Sequence, residues 1–173
     1  MDNLLPLIYL TVLLIILLIF SLFLFKQIFQ SRKVEQVLSD LQAKTRSNSA
    51  TGEDYYVLGT IYLSKKLFDQ AIIHFRYALQ LWDKNDKEGL ANLYNTVGFT
   101  YSESNQYDLA IYYYNEAIKN LSNYTTALNN LGYVYEKKGK FLDAMKAYKS
   151  VIAYDQGNTV ALDRLEVLKR RVK

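Results

Sequence analysis

Histidine, cysteine, hydroxyl side chains and carboxylates supply most protein catalysis, and in this chain they are thinly placed. There is one histidine, His74, no cysteine, and 17 acidic residues against 21 Lys and Arg. Disulfides, thiolate metal sites and cysteine nucleophiles are excluded together. His74 sits between Ile73 and Phe75 in a run with helical apolar spacing. That setting suits a helix-contact or surface side chain better than a general base, which needs a nucleophile and an orienting group beside it. Ser, Asp and His show no spacing that singles out a triad, and neither a phosphate-cradling loop nor a metal-ligand cluster occurs. The expectation is a protein that is not an enzyme, with no metal and no cofactor.

Recognition is the chemistry that remains. Sixteen tyrosines and a net charge of +4 offer stacking platforms and phosphate contacts, so an RNA-binding helical repeat is one reading. Against it, the cations gather at Lys26 to Arg46 and at Arg164 to Lys173. Those places suit anionic lipid contact and helix capping, so neither nucleic acid nor a small-molecule substrate is the expected partner.

The elements that would carry such recognition repeat three times. Leu58-Gly59-x-x-Tyr62 leads to Phe68-x-x-Ala71-x-x-x-Phe75-x-x-Ala78; Val97-Gly98-x-x-Tyr101 leads to Tyr107-x-x-Ala110-x-x-x-Tyr114-x-x-Ala117; Leu131-Gly132-x-x-Tyr135 leads to Phe141-x-x-Ala144-x-x-x-Tyr148-x-x-Val151. Gly98 to Gly132 and Ala110 to Ala144 are both 34 residues apart, the period of a helix-turn-helix solenoid. Apolar and small positions fall at helical spacing, so each unit is two helices that approach closely, with turns at Lys65-Lys66, Ser104-Asn105 and Lys138-Gly139. The aromatic pairs, such as Phe68 with Phe75, are expected to pack each second helix onto the next unit. Gly59 to Gly98 spans 39 residues, and the surplus falls in Asp83 to Gly89, where it lengthens a loop or a helix end. Asn158-Thr159 caps a last helix with an apolar face and with Arg164, Lys169, Arg170, Arg171 and Lys173 keeping it soluble, which closes the exposed end of a solenoid.

Ahead of the repeats, Leu4 to Phe25 is free of charge and dominated by Leu, Ile and Phe. At ~1.5 Å per residue it is long enough for the ~30 Å hydrocarbon core. Asp2 before the run and Phe23-Leu24-Phe25 at its end do not resemble a cleaved signal peptide. Lys26, Arg32, Lys33, Lys44 and Arg46 follow it, so the positive-inside rule puts the repeats on the cytoplasmic or stromal side. Val34, Val37, Leu38 and Leu41 give Arg32 to Lys44 an amphipathic helical stripe that either contacts lipid or packs on the first repeat. Ser47 to Gly52 then breaks the pattern, and Thr51 followed by Asp54 resembles a helix N-cap.

The predicted organisation is all-α. A single transmembrane anchor covers residues 1–25, an amphipathic linker or stalk 26–50, and a repeat domain 51–173. The units of that domain cover about 52–85, 91–124 and 125–158, with a capping helix over 159–172.

These residues resemble the tetratricopeptide repeat family, and Ala127 to Gly139 is close to that family's consensus first helix. Two features depart from it: the family's Trp is replaced at Tyr55, Tyr94 and Leu128, and no Pro ends any unit. The resemblance implies a concave groove, lined by first helices, that binds an extended peptide or a partner's helix. Carried over by position, its contacts are Tyr56, Thr60, Asn95, Phe99, Asn129, Tyr133 and Glu136. The chaperone-binding members hold a partner's terminal carboxylates with cations at positions that here are Tyr56, Thr60, Thr96, Thr126 and Asn130. None of these is basic, so chaperone tails are not the expected ligand.

The overall plan is similar to the small thylakoid tetratricopeptide proteins of cyanobacteria and red-algal plastids. This implies a single-pass scaffold whose partners are subunits or assembly intermediates of a membrane complex, photosystem I. With no transit peptide ahead of the anchor, it also implies a plastid-encoded or cyanobacterial chain. A bacterial membrane-anchored adaptor for secretion or envelope assembly is the alternative reading.

Overall fold

The computed structural model describes residues 4–172, and every regular element among them is an α-helix. The chain parts into two compact units at Asn48 and Ser49. Asp2 and Lys173, which flank the predicted elements, lie outside the described residues.

The first unit is one helix, α1 (Leu4–Arg46), in which the apolar run and the amphipathic segment join without a break. Its most apolar stretch has a mean hydropathy of 3.0 and is wholly unburied. By length and composition α1 is able to cross a membrane. Side chains from Ile8 to Phe25 are exposed, and an apolar surface of that extent needs a cover that water does not provide. The helix ends where Asn48 takes a left-handed φ of 53°.

The second unit holds α2 (Gly52–Ser64), α3 (Phe68–Leu81), α4 (Lys87–Glu103), α5 (Tyr107–Asn120), α6 (Thr125–Lys137), α7 (Phe141–Tyr154) and α8 (Thr159–Arg171). Helices pair in sequence, α2 with α3, α4 with α5 and α6 with α7, while α8 closes on α7. The N-terminus of α2 is a reciprocal capping box. Asp54 N–H donates to Thr51 Oγ1 (3.2 Å) and Thr51 N–H donates to Asp54 Oδ2 (2.9 Å), satisfying two donors that a helix start leaves open. Asn158 caps α8 by accepting from the Ala161 N–H (3.1 Å).

Each pair closes on a glycine. A Cβ at Gly98 would stand 2.8 Å from the Tyr114 ring and one at Gly132 would stand 2.7 Å from that of Tyr148; at Gly59 it would meet Phe75. The second-helix aromatics Phe75, Tyr114 and Tyr148 therefore pack first against their own unit, where the sequence pattern suggested the next one. The reason is steric: only a residue without a side chain lets a buried ring reach the backbone of its partner helix. Between the paired helices one residue takes left-handed backbone, Lys66 (φ 58°), Asn105 (φ 60°) and Gly139 (φ 69°).

The surplus between the first and second units goes mostly into helix. Gly59 and Gly132 are the eighth residues of α2 and α6, whereas Gly98 is the twelfth of α4, so four of the five extra residues add about one turn to the start of α4. Buried Phe75, Leu93, Val97, Tyr114, Leu131 and Val134 run from unit to unit as one core, and Tyr148, Val151, Leu165 and Leu168 continue it under α8. Each such side chain contributes roughly 1.5–3 kcal/mol on burial, so the capping helix is held by apolar contact before any polar group is counted.

Candidate partner-binding groove

First helices of successive units lie side by side and are tied by neutral hydrogen bonds. Thr96 donates its single hydroxyl proton to the Asn92 carbonyl (2.9 Å), so at the 3.3 Å contact between Tyr56 Oη and Thr96 Oγ1 the tyrosine is the donor. Tyr124, just ahead of α6, donates to Asn92 Oδ1 (2.7 Å), and Asn130 Nδ2 donates to Asn95 Oδ1 (3.0 Å). Asn129 Nδ2 reaches Asn158 Oδ1 at 3.4 Å.

This ladder occupies part of the predicted contact set. Tyr56 and Asn95 are half-buried and spend polar atoms on neighbouring repeats. Thr60 returns its hydroxyl to the Val57 carbonyl (2.8 Å). Phe99 and Tyr133, which follow the glycines of α4 and α6, are 41% and 48% exposed, so two exposed aromatic side chains stand at equivalent positions on adjacent first helices. Large exposed rings supply much of the contact area at protein interfaces.

Glu136 differs from its predicted neighbours. Its side chain is 8% exposed and both oxygens are engaged: Oε1 accepts from Tyr148 Oη (2.8 Å) and Arg164 Nε (2.9 Å), and Oε2 accepts from Arg164 Nη2. Burial pushes its pKa up, but the bonds from Arg164 and Tyr148 outweigh burial and hold it below the usual carboxylate value. Arg164, which the sequence pattern assigned to keeping α8 soluble, instead makes a two-pronged pair with this carboxylate. Through Tyr148 the pair joins α6, α7 and α8.

Beside the pair, a cavity of about 580 Å³ opens between α6 and α8, lined by Asn129, Tyr133, Lys137, Val160, Arg164 and Arg171 among others. Lys137 Nζ rests 5.2 Å from the centre of the Tyr133 ring, and the Arg171 guanidinium 4.7 Å from that of Phe141.

Sequence reasoning missed the device at the other end. Trp82 Nε1–H donates to Asp86 Oδ2 (3.0 Å), Asp86 Oδ1 caps α4 through the Gly89 N–H (2.8 Å), and Tyr56 meets the indole edge-on at 5.9 Å. An Asp three residues ahead of Gly89 was the available signal.

His74 is stacked on Tyr62 at 5.0 Å and lies 6.1 Å from Tyr55. Its Nδ1 is buried and makes no hydrogen bond, and burial lowers its pKa. It contacts rings across α2 and α3 rather than a nucleophile. Among the described residues no group of three or more His, Asp or Glu is placed to hold a metal ion.

Comparison with known proteins agrees with this architecture. Residues 54–123 and 125–158 each match a model of the tetratricopeptide repeat. The chain is 47% identical to the ycf37 protein of Guillardia theta over 99% of its own length and 97% of that protein. It is 34% identical to the chloroplastic tetratricopeptide repeat domain-containing protein PYG7 of Arabidopsis thaliana, over 95% of its own length but 54% of the longer relative. Among solved structures, MamA superposes with a TM-score of 0.74 at 20% identity, over 83% of this chain and 81% of that one. The first repeat domain of Spaghetti (RPAP3), solved with the HSP90 peptide SRMEEVD, gives 0.63 at 19% identity, over 70% of this chain and 93% of that one. At these identities the structural likeness speaks for the fold alone.

Proposed function

Because the chain belongs to the tetratricopeptide repeat family, and within it to the ycf37 proteins, we propose that it is a membrane-anchored scaffold that holds protein subunits or assembly intermediates of photosystem I beside the thylakoid membrane. The observation that carries the reading is the pair of exposed aromatic side chains, Phe99 and Tyr133, set at equivalent positions beside a hydrogen-bonded floor. A rigid floor limits the ordering cost of binding, and exposed rings supply contact area. In this reading α1 crosses the bilayer, the cations from Lys26 to Arg46 keep the repeats on the stromal side, and tethering raises the local concentration of a membrane partner. The plastid relatives favour photosystem assembly over bacterial secretion or envelope assembly.

Affinity purification from thylakoids, using a tagged full chain, tests this directly. Photosystem I subunits should be recovered with the native chain and lost with the Phe99→Ala, Tyr133→Ala double variant, whose melting temperature should stay near that of the parent. Unchanged photosystem I accumulation after disruption of the gene would defeat the proposal.

A further inference from the structure

The groove ends in a place unlike the rest of it, at the α6 and α8 cavity. Glu136 is the acidic side chain among the cavity's lining residues, and it is neutralised by Arg164. Lys137 and Arg171 feel the same carboxylate through space without bonding to it, each resting over a ring, so three cations face one carboxylate. The cavity wall therefore carries excess positive charge bordered by the apolar surfaces of Tyr133 and Val160.

A second observation concerns Asn129. Asn158 has its amide orientation set twice, because Oδ1 accepts the Ala161 N–H and Nδ2 donates to Asp155 Oδ2 (2.9 Å). Asn129 must then present Nδ2 to Asn158 Oδ1, which leaves its own Oδ1 as an acceptor. That oxygen is buried and accepts no hydrogen bond, and it belongs to a residue that lines the cavity. An unmet buried acceptor is costly, so a ligand N–H that reaches it recovers free energy.

We propose that this end of the groove reads an acidic, partly apolar segment of a protein partner in extended form. A main-chain N–H of the segment meets Asn129 Oδ1, a carboxylate lies between Lys137 and Arg171, and an apolar side chain covers Tyr133 and Val160. The inference rests on the groove being the partner-binding surface, and adds the chemistry that the partner must carry. It uses cations supplied by the end of α6 and by the capping helix, not the five first-helix positions that hold carboxylates in the chaperone-binding members.

The test uses the full chain in neutral detergent and a labelled peptide alternating Leu with Glu, with a twin carrying Gln for every Glu. Fluorescence anisotropy should show the acidic peptide binding and its twin weakened by about tenfold or more, the size of one lost charge-assisted bond. Lys137→Gln and Arg171→Gln should each weaken the acidic peptide and leave the twin unaffected. Asn129→Leu should weaken both peptides, with its melting temperature held. Equal binding of the two peptides, or an affinity unchanged in the Lys137→Gln, Arg171→Gln variant, would overturn the proposal. So would displacement of the peptide by an equal concentration of a uridine oligonucleotide, which would mark a general polyanion surface. Crosslinking of a partner from Phe99 without any peptide binding would refute this inference alone and leave the groove reading standing.

Discussion

The two ends of the groove are built from the same backbone and differ in their side chains. From α2 to α6 the first helices are tied by neutral tyrosine, threonine and asparagine bonds, each between partly exposed groups. At the α6 and α8 end the tie is a buried carboxylate gripped by an arginine and a tyrosine, with two more cations beside it. Neutral ties set spacing at little energetic risk, since losing one strands no charge. A charged tie fixes the capping helix more strongly and also creates a local field, which a partner of opposite sign can use.

The largest effect should come from breaking the charged tie. Arg164→Ala leaves the Glu136 carboxylate buried with Tyr148 as its remaining donor. Stranding a buried partner costs about 3–5 kcal/mol, but Arg164 is itself 43% exposed, so solvent relief brings the expectation nearer ~2 kcal/mol. Thermal unfolding should fall by about 5–10 °C. Adding Glu136→Gln removes the stranded charge and should restore part of the loss. If the double variant is no better than the single one, the tie is not electrostatic and the contrast between the two ends weakens.

Substitutions beneath the surface should show no such contrast. Gly98→Ala and Gly132→Ala each drive a methyl toward a buried tyrosine ring, at 2.8 Å and 2.7 Å. Overpacking costs about 1–3 kcal/mol, and removing a mid-helix glycine returns up to ~1 kcal/mol, so a net loss of about 1–2 kcal/mol is expected at both sites. Denaturant titrations giving unlike losses would show that the repeats are not equivalent scaffolds.

That equivalence is what the sequence makes legible. Gly, Ala and aromatic residues at fixed offsets encode the helix pairs, because close approach and ring packing depend on residue size at a given step of the helix. The N-caps at Thr51 and Asn158 are equally local, each a side chain acting within three residues of itself. Pairings across units are not local. Nothing in the spacing of Glu136 and Arg164, 28 residues apart, distinguishes an ion pair from two solvated charges. Of the seven predicted contacts, Phe99 and Tyr133 are the two exposed aromatics, while Tyr56 and Asn95 serve the ladder. Lys137 was not singled out and Arg171 was assigned to keeping α8 soluble, because their place beside the cavity depends on how α8 docks.

The pH response should separate the two ends again. His74 has its folded pKa held below 6.5 by burial, so the unfolded chain takes up its proton first. Stability from that group is complete above 6.5 and declines as pH falls from 6.5 through the lower folded value. Glu136 has a folded pKa below 4.5, so its contribution is complete above 4.5 and is lost as pH falls further. Urea unfolding at stepped pH should therefore show two separate declines. His74→Phe should abolish the upper one and Arg164→Ala should blunt the lower one; a single decline at carboxylate pH would show that His74 plays no part.

The smallest effects belong to the neutral ladder. Tyr56→Phe deletes the proton donated to Thr96 across 3.3 Å, and Tyr124→Phe deletes a shorter bond, 2.7 Å, to Asn92. Both groups are only partly buried, so water replaces the lost partner and the cost should be about 0.5–1 kcal/mol, with Tyr124→Phe the larger. Tyr56 keeps its edge-on contact with Trp82 when it becomes Phe, which isolates the hydroxyl from the ring. Amide hydrogen exchange is the sensitive measurement, because a loosened tie between α2 and α4 raises local opening before it shifts global unfolding. Faster exchange should be confined to the middle of α4, around Thr96, in Tyr56→Phe and to the α5–α6 junction in Tyr124→Phe. If either change instead spreads to α8, the neutral ladder and the charged tie act as one cooperative network, and the two ends of the groove are not independent.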